Sequence, residues 1–368
     1  MLSLIVWVLF AFVSMIVGVG IVAPDIQDHQ LEDFRFFVAV PYLLFFGSLS
    51  GTGLLVYYLF LVAAISASLA WVVISSAKGY FKELSMKAKP REHSALFEIC
   101  ALMFATLFLN FVIIIVTGAA NETTPGTQTD AEMLFSLANA SVWEEIAVRV
   151  LLIGVPLLFV DLVRRNTRKD WYAYFLGGKF KIGIPEIALI VFSAVMFGVA
   201  HYLGGWGEWK IPAAGIAGLA FGYLYLKFGI AASITLHFTF DYLSGPDIVF
   251  TSTDFTIILG LLALAWIAAG AVFTGYYVLR IIEFFTGKRF WEERPQPAAW
   301  GAQWQQPYPP SHQTSQQGPY QTSTYQPSYP PPPQVQAPFG GYVCPACGNL
   351  EARWVNGRFQ CLRCGHLS

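Results

Sequence analysis

Two adjacent carboxylates and an arginine, Glu144, Glu145 and Arg149, lie within a run of apolar residues, and similar surroundings hold His201, His237 and Asp241 further along the chain. Carboxylates take up protons, and imidazoles hold a proton or a metal ion. Where bulk water is excluded, such a set has the parts needed to activate a hydrolytic water. An ionisable side chain in hydrocarbon costs about 2.5 to 3.5 kcal/mol on insertion scales, so a cluster of them in apolar runs argues for use. At 100° per residue, Arg149 falls about 40° from Glu145 and about 140° from Glu144 on a helix. Glu145 is therefore the natural ion-pair partner of Arg149, and Glu144 is left free for chemistry. His237 and Asp241 are four apart on one helix face, and Phe197 and His201 share a face of another.

The elements that must position these residues follow from composition. With 55% hydrophobic, 16% aromatic and only 12% charged residues, the chain departs far from a soluble globular average and reads as an all-α polytopic membrane protein. Crossing a bilayer takes roughly 20 apolar helical residues. Stretches of that kind run near Leu2 to Ala23, Gly53 to Ala77, Ser94 to Gly118, Met133 to Val163, Ile184 to Gly204, Ile211 to Phe228, Gly229 to Phe250 and Phe255 to Ile282, about eight spans in all. Phe36 to Ser50 is apolar but short and contains Pro41, which predicts a re-entrant or interfacial piece.

Basic residues in short loops stay cytoplasmic. Lys78, Lys82, Lys87, Lys89 and Arg91 fill one loop, Arg164, Arg165, Arg168, Lys169, Lys179 and Lys181 another, and Arg280, Lys288, Arg289 and Arg294 follow the last span, whereas the alternate loops hold only Arg35 and Lys210. The loop from Ala119 to Asp130 carries a glycosylation sequon at Asn121 and no basic residue, which places it outside. A multi-pass protein of the cell membrane with both termini cytoplasmic is expected. The first span lacks a basic n-region and cleavage site and reads as a retained anchor.

Glu144, Glu145 and Arg149 match EExxxR, Phe197 and His201 match FxxxH, and His237 with Asp241 matches HxxxN/D, in order on successive membrane helices. In these motifs, over about Met133 to Ser244, the chain resembles the CPBP family of intramembrane endopeptidases, which includes type II CAAX prenyl proteases and bacteriocin-processing or bacteriocin-immunity proteins. The resemblance implies hydrolysis of peptide bonds in a membrane-associated substrate, of which a prenylated CAAX tail is one candidate. It implies Glu144 as base, His201 positioning or polarising the water, His237 and Asp241 completing the site, Phe197 at the substrate pocket, and a wet cavity open to the cytosol. Two versions of the chemistry stand open. In one, His201, His237 and Asp241 hold a catalytic Zn²⁺; in the other, the third motif stabilises an oxyanion. Asp241 stands where many relatives carry Asn, and an ionised Asp accepts hydrogen bonds without donating any, which favours the metal version.

The organisation is then 1–130 for the N-terminal membrane helices, 131–250 for the catalytic membrane core, and 251–291 for the last span and a basic juxtamembrane segment. Residues 292–341 form a disordered Pro, Gln and Tyr-rich linker, whose Pro-Tyr steps suit a tether or a proline-binding partner. Residues 342–368 carry Cys344, Cys347, Cys361 and Cys364 as two CxxC pairs 13 residues apart. Four thiolates on two knuckles make a closed structural zinc site, and the segment resembles a small β zinc ribbon that contacts a protein or nucleic-acid partner. Cys100, in an apolar span, reads as a core residue. Two other functions use the same features. Buried carboxylates and histidines also build the relays of proton-coupled transporters, although no second half mirrors the EExxxR span. A catalytically silent membrane scaffold could instead recruit partners through the ribbon.

Overall fold

A computed structural model describes residues 1–28, 31, 34–40, 42–84, 93–119, 128–164, 170–251, 253–288, 290, 352–355 and 358–361. The chain divides into two units, Met1–Glu293 and Arg294–Ser368. In the first, seven helices are long and apolar enough to cross a membrane. They are α1 (Leu2–Gln27), α2 (Gly51–Leu84), α3 (Ala95–Thr117), the continuous rod Asp130–Val163, α7 (Ile184–Leu203), α8 (Lys210–Phe228) and α11 (Thr253–Thr286). Their outward side chains are as apolar as their buried ones, with Leu9, Phe10, Ile74, Val116, Leu261 and Val272 all exposed. An apolar surface of that extent suits lipid rather than water. The protein is an all-α, multi-pass membrane protein.

Helix starts follow local rules. Ser94 caps α3 by accepting from the Phe97 N–H, and the helix ends on Gly118 at φ 70°, the left-handed conformation glycine adopts freely. Thr129 and Glu132 form a reciprocal capping box at the start of the long rod. That rod is not a single α-helix. It begins as α4 (Asp130–Asn139), continues as a π-helix over Ala140–Gly154, and returns to α as α5 (Val155–Val163), after which comes the four-residue α6 (Ala173–Leu176).

Two expectations need correction. The stretch Gly229 to Phe250 is not one crossing helix: it folds as the twelve-residue α9 (Ile230–Asp241), a 3₁₀ turn at Tyr242–Ser244, and the six-residue α10 (Gly245–Phe250). Residues Ala232 to Thr239 are all buried, so the apolar run fills the bundle centre instead of facing lipid. Phe36 to Ser50 falls in an antiparallel hairpin of β1 (Phe34–Val40) and β2 (Tyr42–Leu49), with a bulge at Phe36/Phe37. Its aromatic and β-branched residues favour strand, and two strands satisfy each other's backbone where a re-entrant loop would not.

The core of the first unit is built from α1, α2, α3, α7, α8, α9, α11 and the π segment, with Met103, Phe104, Phe221, Leu236 and Trp266 in it and Cys100 buried among them. Helices α7 and α8 approach closely through small residues: a Cβ on Gly218 would come within 2.9 Å of the Ala194 Cα. In the second unit, β3 (Ala352–Val355) pairs with β4 (Arg358–Cys361), opposing Ala352 to Cys361. Cys344, Cys347, Cys364 and the linker lie outside the described residues, and Cys361 is described through its backbone alone.

Candidate active site

Three rods carry the ionisable cluster. The π segment presents Glu144, Glu145 and Arg149; α7 presents Phe197 and His201 near its C-terminal end; α9 presents His237 and, as its last residue, Asp241. In the π segment the backbone bonds reach back five residues, as from the Val155 N–H to the Val150 carbonyl. A turn then holds more than four residues, so neighbouring side chains diverge by less than in an α-helix. Glu144 and Glu145 both reach His237, and the tighter angular step of this winding narrows the spread between them.

His237 is the hub. Its Nδ1 lies 2.8 Å from Oε1 of Glu145, while its Nε2 lies 3.3 Å from Oδ2 of Asp241 and 3.7 Å from Oε2 of Glu144. The Phe221 ring stacks on the imidazole at 4.5 Å and 15°, and Phe197 meets its edge at 5.9 Å. With Nδ1–H donated to Glu145, the ring is fixed in orientation and its Nε2 is turned to the other two carboxylates.

Glu145 is locked on all sides. Besides His237 it accepts from the Ser233 hydroxyl and pairs with Nε of Arg149 at 3.3 Å. Arg149, fully buried, donates from Nη1 to Ser193 at 2.8 Å and lies 4.8 Å and 5.4 Å from the centroids of Phe197 and Phe221. A buried guanidinium needs such company, since an unpaired one pays its full desolvation. Glu144 is not tied in this way. Its Oε2, like Oδ2 of Asp241, is a buried oxygen with no hydrogen-bond partner among the described residues. Yet the Glu144 and Asp241 side chains retain 32% and 24% exposure. The two carboxylates line the accessible part of the site, and Glu145 and Arg149 form its closed floor.

His201 stands one helical turn beyond Phe197, with Nδ1 2.9 Å from the Phe197 carbonyl and its ring 4.7 Å from the Phe197 ring. That bond requires the proton on Nδ1, leaving Nε2 as an acceptor. The six residues expected from sequence thus assemble, with His201 joined through Phe197 rather than by direct contact with a carboxylate. The metal set expected from sequence is not assembled in the same way. Among the described residues no three His, Cys, Asp or Glu side chains gather as a group able to hold a metal ion, His201, His237 and Asp241 included.

Sequence reasoning missed Ser193, Ser233, Phe221 and Lys210. Ser233 and Ser193 each precede a motif residue, His237 and Phe197, by four positions, so helical spacing could have found them. Phe221 is one of 31 phenylalanines and carries no signal of its own. Lys210, at the start of α8, lies 4.3 Å over the Trp206 ring and acts electrostatically on both Glu144 and Asp241.

Residues 128–243 match a family model described as Type II CAAX prenyl endopeptidase Rce1-like. All six ionisable residues fall inside that stretch, which is under a third of the chain. No curated protein and no solved structure matches the chain. Within the membrane unit, the stretch that carries the ionisable cluster is thus similar to the Rce1-like type II CAAX prenyl endopeptidases.

Proposed function

We propose that the chain is an intramembrane endopeptidase that hydrolyses a peptide bond of a membrane-associated substrate with a water activated by Glu144. The observation that carries this reading is the contrast between the two adjacent carboxylates. Glu145 is spent on Arg149, Ser233 and His237, while Glu144 faces His237 at 3.7 Å with an oxygen that has no hydrogen-bond partner among the described residues. A floor that is fixed and a base that is free is what general-base catalysis asks of a site.

In this reading Glu144 removes a proton from the water, and the water oxygen bonds to the scissile carbonyl carbon as the C=O electrons move to oxygen. Nε2 of His201 accepts from the water and orients it. Nε2 of His237, aimed by Glu145 and flanked by Asp241, meets the reacting oxygens. On collapse the C–N bond breaks and Glu144 returns its proton to the leaving nitrogen. The bond is held where low polarity strengthens each of these contacts. The family description makes a CAAX-type tail the first substrate to assay.

The test uses purified full-length protein in lipid nanodiscs with a peptide library and a CAAX-type peptide. Glu144→Gln is expected to reduce cleavage by roughly 10²–10⁴-fold, the usual share of a general base, with an unchanged melting temperature. Cleavage that persists in the variant sinks the proposal.

We also infer a structural zinc site in the second unit, held by Cys344, Cys347, Cys361 and Cys364, which fixes a small module for partner contact. The spacing of the two CxxC pairs and the β3–β4 hairpin ending at Cys361 support it. Metal analysis of the purified chain should find bound zinc that the Cys361→Ser variant loses; equal zinc in both removes the inference.

A further inference from the structure

The first residue of α8 is a lysine, and its own helix gives no reason for it. Lys210 opens that helix with no acidic residue in the first turn and no side-chain cap before it. A helix dipole disfavours a cation at this end. Half-buried in an apolar bundle, the ammonium carries a further cost. A placement that breaks two local preferences points to a use elsewhere in the fold.

The surroundings of Lys210 are built to hold it. The connection from α7 folds back on the site, with the Trp206 N–H donating to the His201 carbonyl at 3.2 Å and the Gly205 N–H to the Tyr202 carbonyl at 3.1 Å. Trp206 and Trp209 meet edge to face, their ring centroids 6.4 Å apart. The Lys210 ammonium lies 4.3 Å from the centroid of Trp206 and 5.4 Å from that of Trp209. Indole faces hold a cation without neutralising it. The next residue sets the start of α8 against α7, since a Cβ on Gly198 would come within 2.3 Å of the Ile211 carbonyl. Gly198 follows Phe197, whose ring meets the edge of His237, so α8 begins beside the cluster. From there Lys210 acts through space on Glu144, Asp241 and His201.

Glu144 and Asp241 need such a charge. Three carboxylates converge on His237, at 2.8 Å for Glu145, 3.3 Å for Asp241 and 3.7 Å for Glu144. Arg149 answers Glu145 at 3.3 Å. Glu144 and Asp241 share one imidazole and act on each other, and like charges so placed oppose ionisation. Arg149 and Lys210 are the two permanent cations set against three carboxylates, and His237 can carry the third positive charge. From this arrangement we infer that Lys210 is a positioning residue of the site, an ammonium clamped by two indoles that holds Glu144 and Asp241 together as neighbouring anions. Its bearing on catalysis rests on the peptidase reading; the charge coupling does not.

A double-mutant cycle on the full chain in lipid nanodiscs decides it, read both as cleavage and as melting temperature. Lys210→Met removes the charge and keeps the reach of the side chain. In the native background it is expected to lower kcat by roughly tenfold, less than the 10²–10³-fold of a directly bonded donor, with KM little changed. Beside Asp241→Asn the same change should cost little, because one of the two anions is already gone. Melting temperatures should follow the same pattern, falling on Lys210→Met in the native background and scarcely beside Asp241→Asn. Lys210→Arg retains the charge and should keep most of the cleavage. Equal losses in the two backgrounds, an unimpaired Lys210→Met, or a Lys210→Arg as impaired as Lys210→Met overturns the inference. Should Lys210→Met fail to fold, Lys210→Gln is read by the same rule. Where Asp241→Asn itself abolishes cleavage, the melting temperatures decide, and absence of coupling between them overturns the inference whether or not the chain cleaves. Coupled melting temperatures without cleavage by the unmodified chain remove the peptidase reading and leave the charge pairing intact.

Discussion

Glu145 and His237 stand 92 positions apart in the chain and meet at 2.8 Å, carboxylate to imidazole, at the centre of the membrane bundle. Through this contact the π segment and α9 hold one another in register, and the rest of the site takes its geometry from it. Arg149 and Ser233 press on the same carboxylate from two further directions.

Removing that carboxylate should therefore harm the fold as well as the chemistry. Glu145→Ala leaves a fully buried guanidinium without its counter-charge, a change that costs on the order of 3–5 kcal/mol. The melting temperature of the purified protein should fall substantially, and should fall far less in Glu144→Ala, whose Oε2 has no hydrogen-bond partner among the described residues. Equal destabilisation by the two changes would contradict the division of labour between them.

The hairpin is tied to the catalytic rod by Trp143. Its indole donates to the Phe37 carbonyl at 3.1 Å and meets the Phe36 ring at 4.9 Å. Trp143→Phe keeps the ring contact and deletes the hydrogen bond, a loss of about 1 kcal/mol. Faster backbone hydrogen exchange across residues 34–49 is expected, with little change in the helices. Unaltered exchange in the hairpin would show that the ring contact alone holds it.

Just before α3, His93 stacks on Phe97 at 4.2 Å with Nδ1 3.9 Å from Glu83. Burial holds its pKa below the ordinary 6.5, with nearby Arg280 acting the same way and Glu83 opposing. The unfolded chain then binds a proton more readily than the folded one. The contribution of this group is present above pH 6.5 and is lost as pH falls from there toward the folded pKa. His93→Phe keeps the stack and removes the titration, so its melting temperature should fall less steeply with acid than that of the unmodified chain. Parallel slopes would exclude His93 as a source of acid sensitivity.

Much of this arrangement is legible in the sequence. Apolar runs of crossing length mark the helices, and they coincide to within four residues with α1, α3, α7, α8 and α11, while α2 runs seven residues past its apolar stretch, because lipid demands a continuous apolar surface regardless of tertiary detail. The pairing of Glu145 with Arg149 follows from spacing of four, which a π-helix and an α-helix both bring to one face. What escaped was whatever depends on partners rather than on the segment itself. The run from Gly229 to Phe250 is as apolar as a span, and only the surrounding helices decide that α9 ends at Asp241. Hairpin and re-entrant loop draw on the same apolar composition over 34–49, and pairing across the turn chooses between them. Ser193 and Ser233 look like ordinary small helix residues until Arg149 and Glu145 arrive from another rod.

A helix whose bonds reach back five residues is an α-helix with surplus backbone wound into it, and such windings are rarely long. Over Ala140–Gly154 the chain keeps this surplus. Excising one residue there should relax the winding toward ordinary geometry and change the angle at which Glu144 and Glu145 meet their shared imidazole. Along this stretch the backbone forgoes its most regular winding, and the pairing of two neighbouring carboxylates with one imidazole is what that irregularity carries.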